Sequence, residues 1–525
     1  MFLTFLRNRG PLAAVLAFAS LLALPRTGHA IGFELTTPGA RESGRAGASV
    51  VGADNAMALF YNPATLLNAK AFTDTAIAVH SAWTDLCFTR RAVIEDAGGG
   101  RSGGATFPEI CGDAKSAIIP IGASVFRFNE HFALAYGVYS PAAVGRDIKF
   151  GSPTSGTPNG AMPTSTASLS PSRYILMNEH ILQTFPTVGV AYSPFKQLKL
   201  GASFGWGFTR FEFSTASWSR SVAGMQLGQE VGGTSDVGTY VKGKDKFTPR
   251  VNVGVWGQPV KTLPLELGAQ FVWTGDVKTD DGTLRIRNLH TDYYPASLVS
   301  LLGNVAQPVL NERFNNTGVS VPQNAVLSGG VRYAKKLASP VGKMGDRMGT
   351  EVFDIELDYV MTFARLDSVD VRPPAGSSVN VPSPSPAIMD VTLNLPEEFN
   401  VKHKWQNQYG IRIGGDYNVL PNLLALRAGY SFESNGITPG YAQLDFTPFK
   451  RFGLSAGATV RLYDLIDISA SYAYFIVPDV ENTVGNAGIR RNVSGMPRPG
   501  DAEIANAGKI TQTAQAFIVE AGFHL

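Results

Sequence analysis

Phe353-Asp354-Ile355-Glu356-Leu357-Asp358-Tyr359-Val360-Met361-Thr362-Phe363 has a period of two. Phe353, Ile355, Leu357, Tyr359, Met361 and Phe363 share one face of an extended chain, and Asp354, Glu356, Asp358 and Thr362 share the other. Successive strand side chains point to opposite faces, so the stretch reads as a strand with one apolar and one polar side. The pattern recurs at Phe452–Leu462, with Leu454, Ala456, Ala458 and Val460 on one side, and at Phe517–Leu525. A soluble sandwich would give the same alternation, so periodicity alone does not settle the fold.

Working outward, fourteen such segments are centred near 77, 121, 136, 187, 204, 252, 269, 329, 358, 412, 427, 456, 472 and 518. Long connections fall near 84–115, 141–173, 215–246, 278–322, 368–404, 433–446 and 479–510. Between them come tight turns at Asn129-Glu130, Pro194–Gln197, Lys261–Pro264, Leu420–Asn422 and Tyr463–Ile466; only Lys335–Gly349 is longer than this rule. An even strand count with long loops on one side and short turns on the other marks a transmembrane barrel, and closure removes exposed edges. The expected fold is therefore all-β, a 14-stranded antiparallel transmembrane barrel over 71–525.

Composition agrees. The chain has 56 Gly, 17% charged and 10% aromatic residues, and a net charge of +3 that argues against a nucleic-acid partner. No later segment approaches the roughly 20 uninterrupted apolar residues of a transmembrane helix. Residues 1–30 read as a signal peptide: Arg7 and Arg9, the apolar run Pro11–Leu24, and the small-x-small site Gly28-His29-Ala30. An uncleaved anchor is the alternative. Cys87 and Cys111 then lie together in one exported loop, where a disulfide is expected over two unlinked thiols.

Residues 31–70 lack the alternation and carry Gly32, Gly39, Gly44, Gly47 and Gly52, which suggests a compact, non-strand piece. Two loops hold apolar clusters, Met225 and Leu227 in one and Leu298 and Leu302 in the next; a groove for a greasy ligand competes there with loops folding on themselves. Motifs for chemistry are weak. Gly201-Ala202-Ser203-Phe204-Gly205 and Gly453-Leu454-Ser455-Ala456-Gly457 match G-x-S-x-G but sit inside strands, whereas a nucleophile elbow needs a strand-to-helix turn. Ser193-Pro194-Phe195-Lys196 lies in a tight turn, and the seven His show no metal-ligand spacing. Asp354, Glu356 and Asp358 read as a solvated lumen wall in preference to an acid–base pair. No catalytic residue, metal or cofactor is expected.

Several stretches resemble the long-chain fatty acid outer-membrane transporters (the FadL family, which includes aromatic-hydrocarbon uptake channels). They are Ile31-Gly32-Phe33-Glu34-Leu35, Ser43-Gly44-Arg45-Ala46, Asn62-Pro63-Ala64, Leu426-Arg427-Ala428-Gly429, Arg451–Gly457 and Ser471-Tyr472. The resemblance implies a monomer in the bacterial outer membrane, passing long-chain fatty acids or other hydrophobic small molecules without ATP. Ligand would be captured in a groove of the third and fourth outer loops, moved to a lumenal pocket, and released laterally beside a kinked third strand. By the same resemblance Phe33 sits at the inner pocket, Asn62-Pro63-Ala64 pins the hatch, and Pro141, which cannot donate to a ladder, is the kink. Arg210 and Lys404 are the candidate carboxylate anchors, with ordinary surface or lumen charge as the competing reading of both. A substrate lacking a carboxylate would need neither, and a structural or adhesin-like barrel remains the alternative outside transport.

Overall fold

In the computed structural model the described residues are 37–96, 99–114, 117–141, 146–149, 170–219, 236–260, 263–288, 310–341, 346–381, 391–494 and 503–525. Strands form where the period of two predicts them: β1 (Thr73–Glu95), β2 (Ala117–Arg127), β3 (Phe132–Tyr139), β4 (Asn178–Phe195), β5 (Leu198–Ser219), β6 (Asp236–Gly257) and β7 (Leu265–Thr274). The second half holds β8 (Ala325–Lys336), β9 (Glu351–Phe363), β10 (Gln408–Leu420), β11 (Leu424–Glu433), β12 (Arg451–Leu462), β13 (Ile466–Ile476) and β14 (Gly508–His524). Each pairs antiparallel with its chain neighbour, and β14 returns to β1 from Asp74↔His524 to Arg90↔Gly508, closing a 14-stranded barrel. All fourteen expected centres fall inside these strands.

The barrel is apolar outside and polar within. On β9, Ile355, Leu357 and Tyr359 are exposed, whereas Asp354, Glu356 and Asp358 are buried. β14 repeats this, with Phe517 and Val519 outward and Glu520 inward. In water such a surface would be strongly unfavourable, each buried or exposed methylene counting for ~0.8 kcal/mol; against lipid it is the expected one.

Three expectations are corrected here. β1 continues to Glu95, so Cys87 is a strand residue; it lies opposite Cys111 in a two-residue ladder, and a disulfide joins them. Much of the stretch expected as a loop at 278–322 is also strand, Val277–Asn288 pairing with Asn311–Val321 above the barrel. The third strand stops at Tyr139, which leaves Pro141 beyond its end and not a kink within it. The long 335–349 connection has a structural cause. Its helical turn Arg347–Thr350 reaches under the lumen, where Arg347 donates to the Gly52 carbonyl and pairs with Glu266 at 3.0 Å.

Residues 37–70 fill the lumen. Helix α1 (Ala40–Gly44) packs on β11–β14, and the 3-10 turns Ala56–Leu59 and Pro63–Asn68 pack on the opposite wall. Wall glycines permit the approach. A Cβ on Gly201 would lie 2.2 Å from Ala64 N, and one on Gly429 would lie 2.2 Å from the Arg45 carbonyl carbon.

Candidate functional site: a hatch-floored lumenal cavity

Asn62, Pro63 and Ala64 are fully buried. The Asn62 side chain accepts from Ala64 N, capping the turn, and its Nδ2 donates to Val50 O at 2.8 Å and to Val255 O of β6 at 3.0 Å. One side chain thus ties two hatch segments to the wall. The two G-x-S-x-G serines serve the same junction: Ser203 Oγ donates to Leu59 O at 3.3 Å and Ser455 Oγ to Gly44 O at 3.1 Å. Small residues at those positions face the hatch, which accounts for the motif without a nucleophile.

Sequence reasoning missed the electrostatic lock. Arg45 Nη2 lies 2.7 Å from Asp354 and 3.0 Å from Glu356, and its Nη1 lies 3.0 Å from Asp416 on β10. Asp358 accepts from Ser49 N at 2.9 Å and Val50 N at 3.1 Å; Glu356 accepts from Val51 N at 2.7 Å. The expected solvated lumen wall is therefore corrected to a dry ion-paired seam. These carboxylates are buried because the hatch supplies both cation and backbone donors, the condition for burying charge.

Glu42 on α1 introduces strain into that seam. It is buried facing Glu520 of β14, whose carboxylate accepts from Ala40 N at 2.7 Å. Burial, then the Glu520 charge, push the Glu42 carboxyl up to about 8, with Arg41 pulling it down. A carboxyl raised on docking is favoured protonated. Hatch docking is therefore strongest below the ordinary value of 4.5 and weakens as pH rises through about 8. Raising pH from about 6 to about 9 should increase ion leakage through wild-type barrels in planar bilayers. Glu42→Gln should flatten that dependence; an equal rise in the variant would exclude Glu42 as its source.

Above the hatch lies a cavity of about 100 Å³. Hatch residues Thr37, Pro38, Ser43, Ala46, Phe60 and Tyr61 line its floor. Tyr139, Val272, Val326, Val360 and Phe475 supply apolar walls, and Arg250, Arg412, Arg451 and Glu433 supply charge. Arg451 grips Glu433 at 2.7 Å, whereas Arg412 stands 3.6 Å from it; Arg250 stacks over Tyr139 at 5.6 Å and Phe185 at 5.5 Å. Three guanidiniums and one carboxylate, set among hydroxyls such as Ser43, Ser328 and Ser431 and the apolar side chains, make a mixed chamber suited to an amphiphile whose anionic head is held by charge-assisted bonds.

The expected anchors are elsewhere. Arg210 lies on the outward face of β5 with Phe204, Trp206 and Phe208, and is exposed. Lys404 lies in the outer connection before β10, where it pairs with Asp367 at 3.1 Å. Neither lines the cavity, because Arg210 has the wrong strand parity and Lys404 is beyond the barrel mouth. Phe33, Met225, Leu227, Leu298 and Leu302 lie outside the described residues, as do residues 1–30, expected as a signal peptide.

The wall beside β3 is thin. The β2–β3 ladder ends at Gly122↔Val138, and β3 itself has only 8 residues. Pro120 and Pro186 flank this point, neither able to donate to a ladder. On the outer surface there is an open apolar recess of about 820 Å³, lined by Ile77, Pro120, Tyr136, Val138, Pro186, Phe204 and Trp206 among others.

These features define a class: a closed, externally apolar barrel plugged by its own N-terminal segment. Solved structures share the barrel fold. The chain is similar to a Pseudomonas aeruginosa FadL homologue, with a TM-score of 0.63 and 14% identity over 94% of this chain and 99% of that one. It is similar to the P. putida toluene transporter TodX, with a TM-score of 0.57 and 14% identity over the same shares of the two chains. The CymD monoaromatic hydrocarbon channel follows at a TM-score of 0.54 and 13% identity, covering 94% and 99%. At such identities what is shared is the fold. Neither a protein-family model nor a curated protein matches the sequence.

Proposed function

We propose that this protein is a monomeric channel of the bacterial outer membrane for passive uptake of hydrophobic compounds, long-chain fatty acids foremost. The carrying observation is the hatch-floored cavity, where Arg412 and a group of apolar side chains line one chamber deep inside a lipid-facing barrel. A fatty acid would place its carboxylate at Arg412 and its chain against Phe60, Tyr139, Val272 and Phe475. Each buried methylene would contribute ~0.8 kcal/mol. Capture from outside, transfer to this cavity and lateral release beside β3 form the route; the apolar recess at Tyr136 and Trp206 supports its last step.

A second reading, uptake of aromatic hydrocarbons, is favoured by one observation. Phe60 and Tyr139 offer stacked rings to the cavity, and an uncharged ring needs no arginine. Equilibrium binding of dodecanoate and of toluene to purified protein separates the two. Arg412→Gln should weaken dodecanoate binding roughly tenfold to a hundredfold, as expected for a lost hydrogen bond to a charged group of about 1.5–3 kcal/mol. Toluene binding should be unaffected. Tight toluene binding without dodecanoate binding would favour the aromatic reading, and binding of neither would favour a structural or adhesin-like barrel.

A further inference from the structure

The outward faces of β5 and β6 change character at one height. Phe204, Trp206 and Phe208 on β5 and Phe247 on β6 are exposed, and Trp206 meets Phe247 edge to face at a centroid distance of 4.6 Å. Aromatic girdles of this kind mark the level where hydrocarbon gives way to lipid headgroups. From this end β5 leaves by a long connection to β6, whereas its other end is the short turn from β4, so the girdle is the outer one. Beyond it the outward residues are cations in two tiers. In the lower tier Arg210 lies directly opposite Lys244, and Lys242 follows opposite Glu212; all three cations are exposed. Four residues past Lys244, about 13 Å along the strand, Tyr240 lies opposite Arg285, which lies opposite Arg313 of the Asn311–Val321 strand. Both arginines are exposed.

We propose that this two-tiered ledge binds the phosphates of an anionic glycolipid of the outer leaflet, whose acyl chains lie against the girdle below. The inference rests on the outer-membrane placement proposed above and is independent of the cargo. Like charges directly opposite on one sheet face destabilise the pairing, and here two such pairs, Arg210–Lys244 and Arg285–Arg313, stand at headgroup height. The upper pair is held by neutral amides: Arg285 Nε donates to Asn311 Oδ1 at 2.8 Å and Arg313 Nε to Asn315 Oδ1 at 3.0 Å. Glu212 is the one carboxylate within the lower tier, and Lys246 nearer the girdle is already paired with Asp281 at 3.6 Å. A phosphate carries enough charge and acceptor oxygens to bridge the two cations of a tier. Phospholipids carry a single phosphate close to their acyl chains and would meet the lower tier alone. A glycolipid with anionic groups on successive sugars reaches both, which favours it as the occupant.

The test titrates full-length protein in phosphatidylcholine nanodiscs with bisphosphorylated lipid A, with its dephosphorylated form, and with lipid A extended by a phosphorylated inner sugar core. Wild-type protein should bind both phosphorylated forms and discriminate against the dephosphorylated one. Replacing Arg210, Lys242 and Lys244 together by Gln should weaken lipid A binding about a hundredfold, about fivefold for each cation lost beside an anionic headgroup. Arg285→Gln with Arg313→Gln should weaken the core-bearing form selectively. Lys196→Gln, an exposed cation in the short turn at the other end of the barrel, should change neither. All these side chains are exposed, and the heat-dependent gel shift of a folded barrel checks each variant. Equal binding of phosphorylated and dephosphorylated lipid, or unchanged binding by the triple variant, would overturn the ledge alone. Displacement of lipid A by equimolar inorganic phosphate would overturn it in favour of a free-anion site. Envelope fractionation that places the native protein outside the outer membrane would overturn the placement, and the ledge with it.

Discussion

Deleting residues 31–64 is expected to turn a nearly silent barrel into an ion-conducting pore. Barrels of about sixteen strands already enclose an aqueous channel, and this one, with fourteen, is filled by α1, the two 3-10 turns and their connecting chain. Removing them exposes Asp354, Glu356, Asp358, Asp416, Arg427 and Glu520, all buried against the hatch or its neighbours. A lumen so lined would fill with water and counter-ions. Planar-bilayer conductance should rise roughly tenfold or more, since among the described residues it is this segment that fills the bore. Saturable ligand binding should vanish with it, because Phe60, Tyr61 and the rest of the cavity floor are lost. Equal conductance with and without the segment would mean that the hatch does not seal the channel.

Replacing Arg45 by Leu should have the largest effect of any single substitution in the hatch. The guanidinium is within 3.0 Å of Asp354, Glu356 and Asp416 at once, and its side chain is only 6% exposed. Breaking a buried ion pair by removing one partner costs about 3–5 kcal/mol, because the other charge stays buried. That is roughly a hundredfold to several thousandfold in the ratio of docked to undocked hatch. A reporter Ala48→Cys, at a position with no exposure in the docked state, measures it directly. Maleimide labelling should be slow in the Arg45 parent and faster by about the same factor in Arg45→Leu. Adding Asp354→Asn and Asp416→Asn should slow it again by relieving part of the unpaired charge. Equal labelling rates would show that the seam does not hold the hatch.

The barrel was legible in sequence because its determinants are local. Alternation in Phe353–Phe363 needs only the residues themselves, and the sorting of long loops from short turns needs only distances along the chain. Strand ends were less legible. β1 runs on to Glu95 because it pairs with Ile110-Cys111 and with Arg101–Thr106, partners that no periodicity within Thr73–Glu95 announces.

The site was read unevenly for the same reason. Asn62-Pro63-Ala64 stood out only through its resemblance to a family motif; in the structure Asn62 Nδ2 donates to Val255 O of the wall. The carboxylates of β9 stood out too, yet their partner Arg45 is more than 300 positions away in sequence, so a dry seam could not be told from a wet wall. Arg210 was a failure of parity that sequence could have prevented. With Ser203, Gly205 and Thr209 facing inward, position 210 must face out. Arg412 carried the opposite signal: Tyr409, Ile411 and Ile413 form the apolar face of β10, which leaves Arg412 pointing into the lumen.

The most direct test of the central claim, a hydrophobic conduit through a hatch-plugged barrel, is dodecanoate and toluene uptake by intact cells with and without this protein, at equal ligand concentration. Protein-dependent, saturable uptake of at least one of them, with dodecanoate uptake reduced by Arg412→Gln, is the predicted result. Uptake identical in the two strains for both compounds would contradict it.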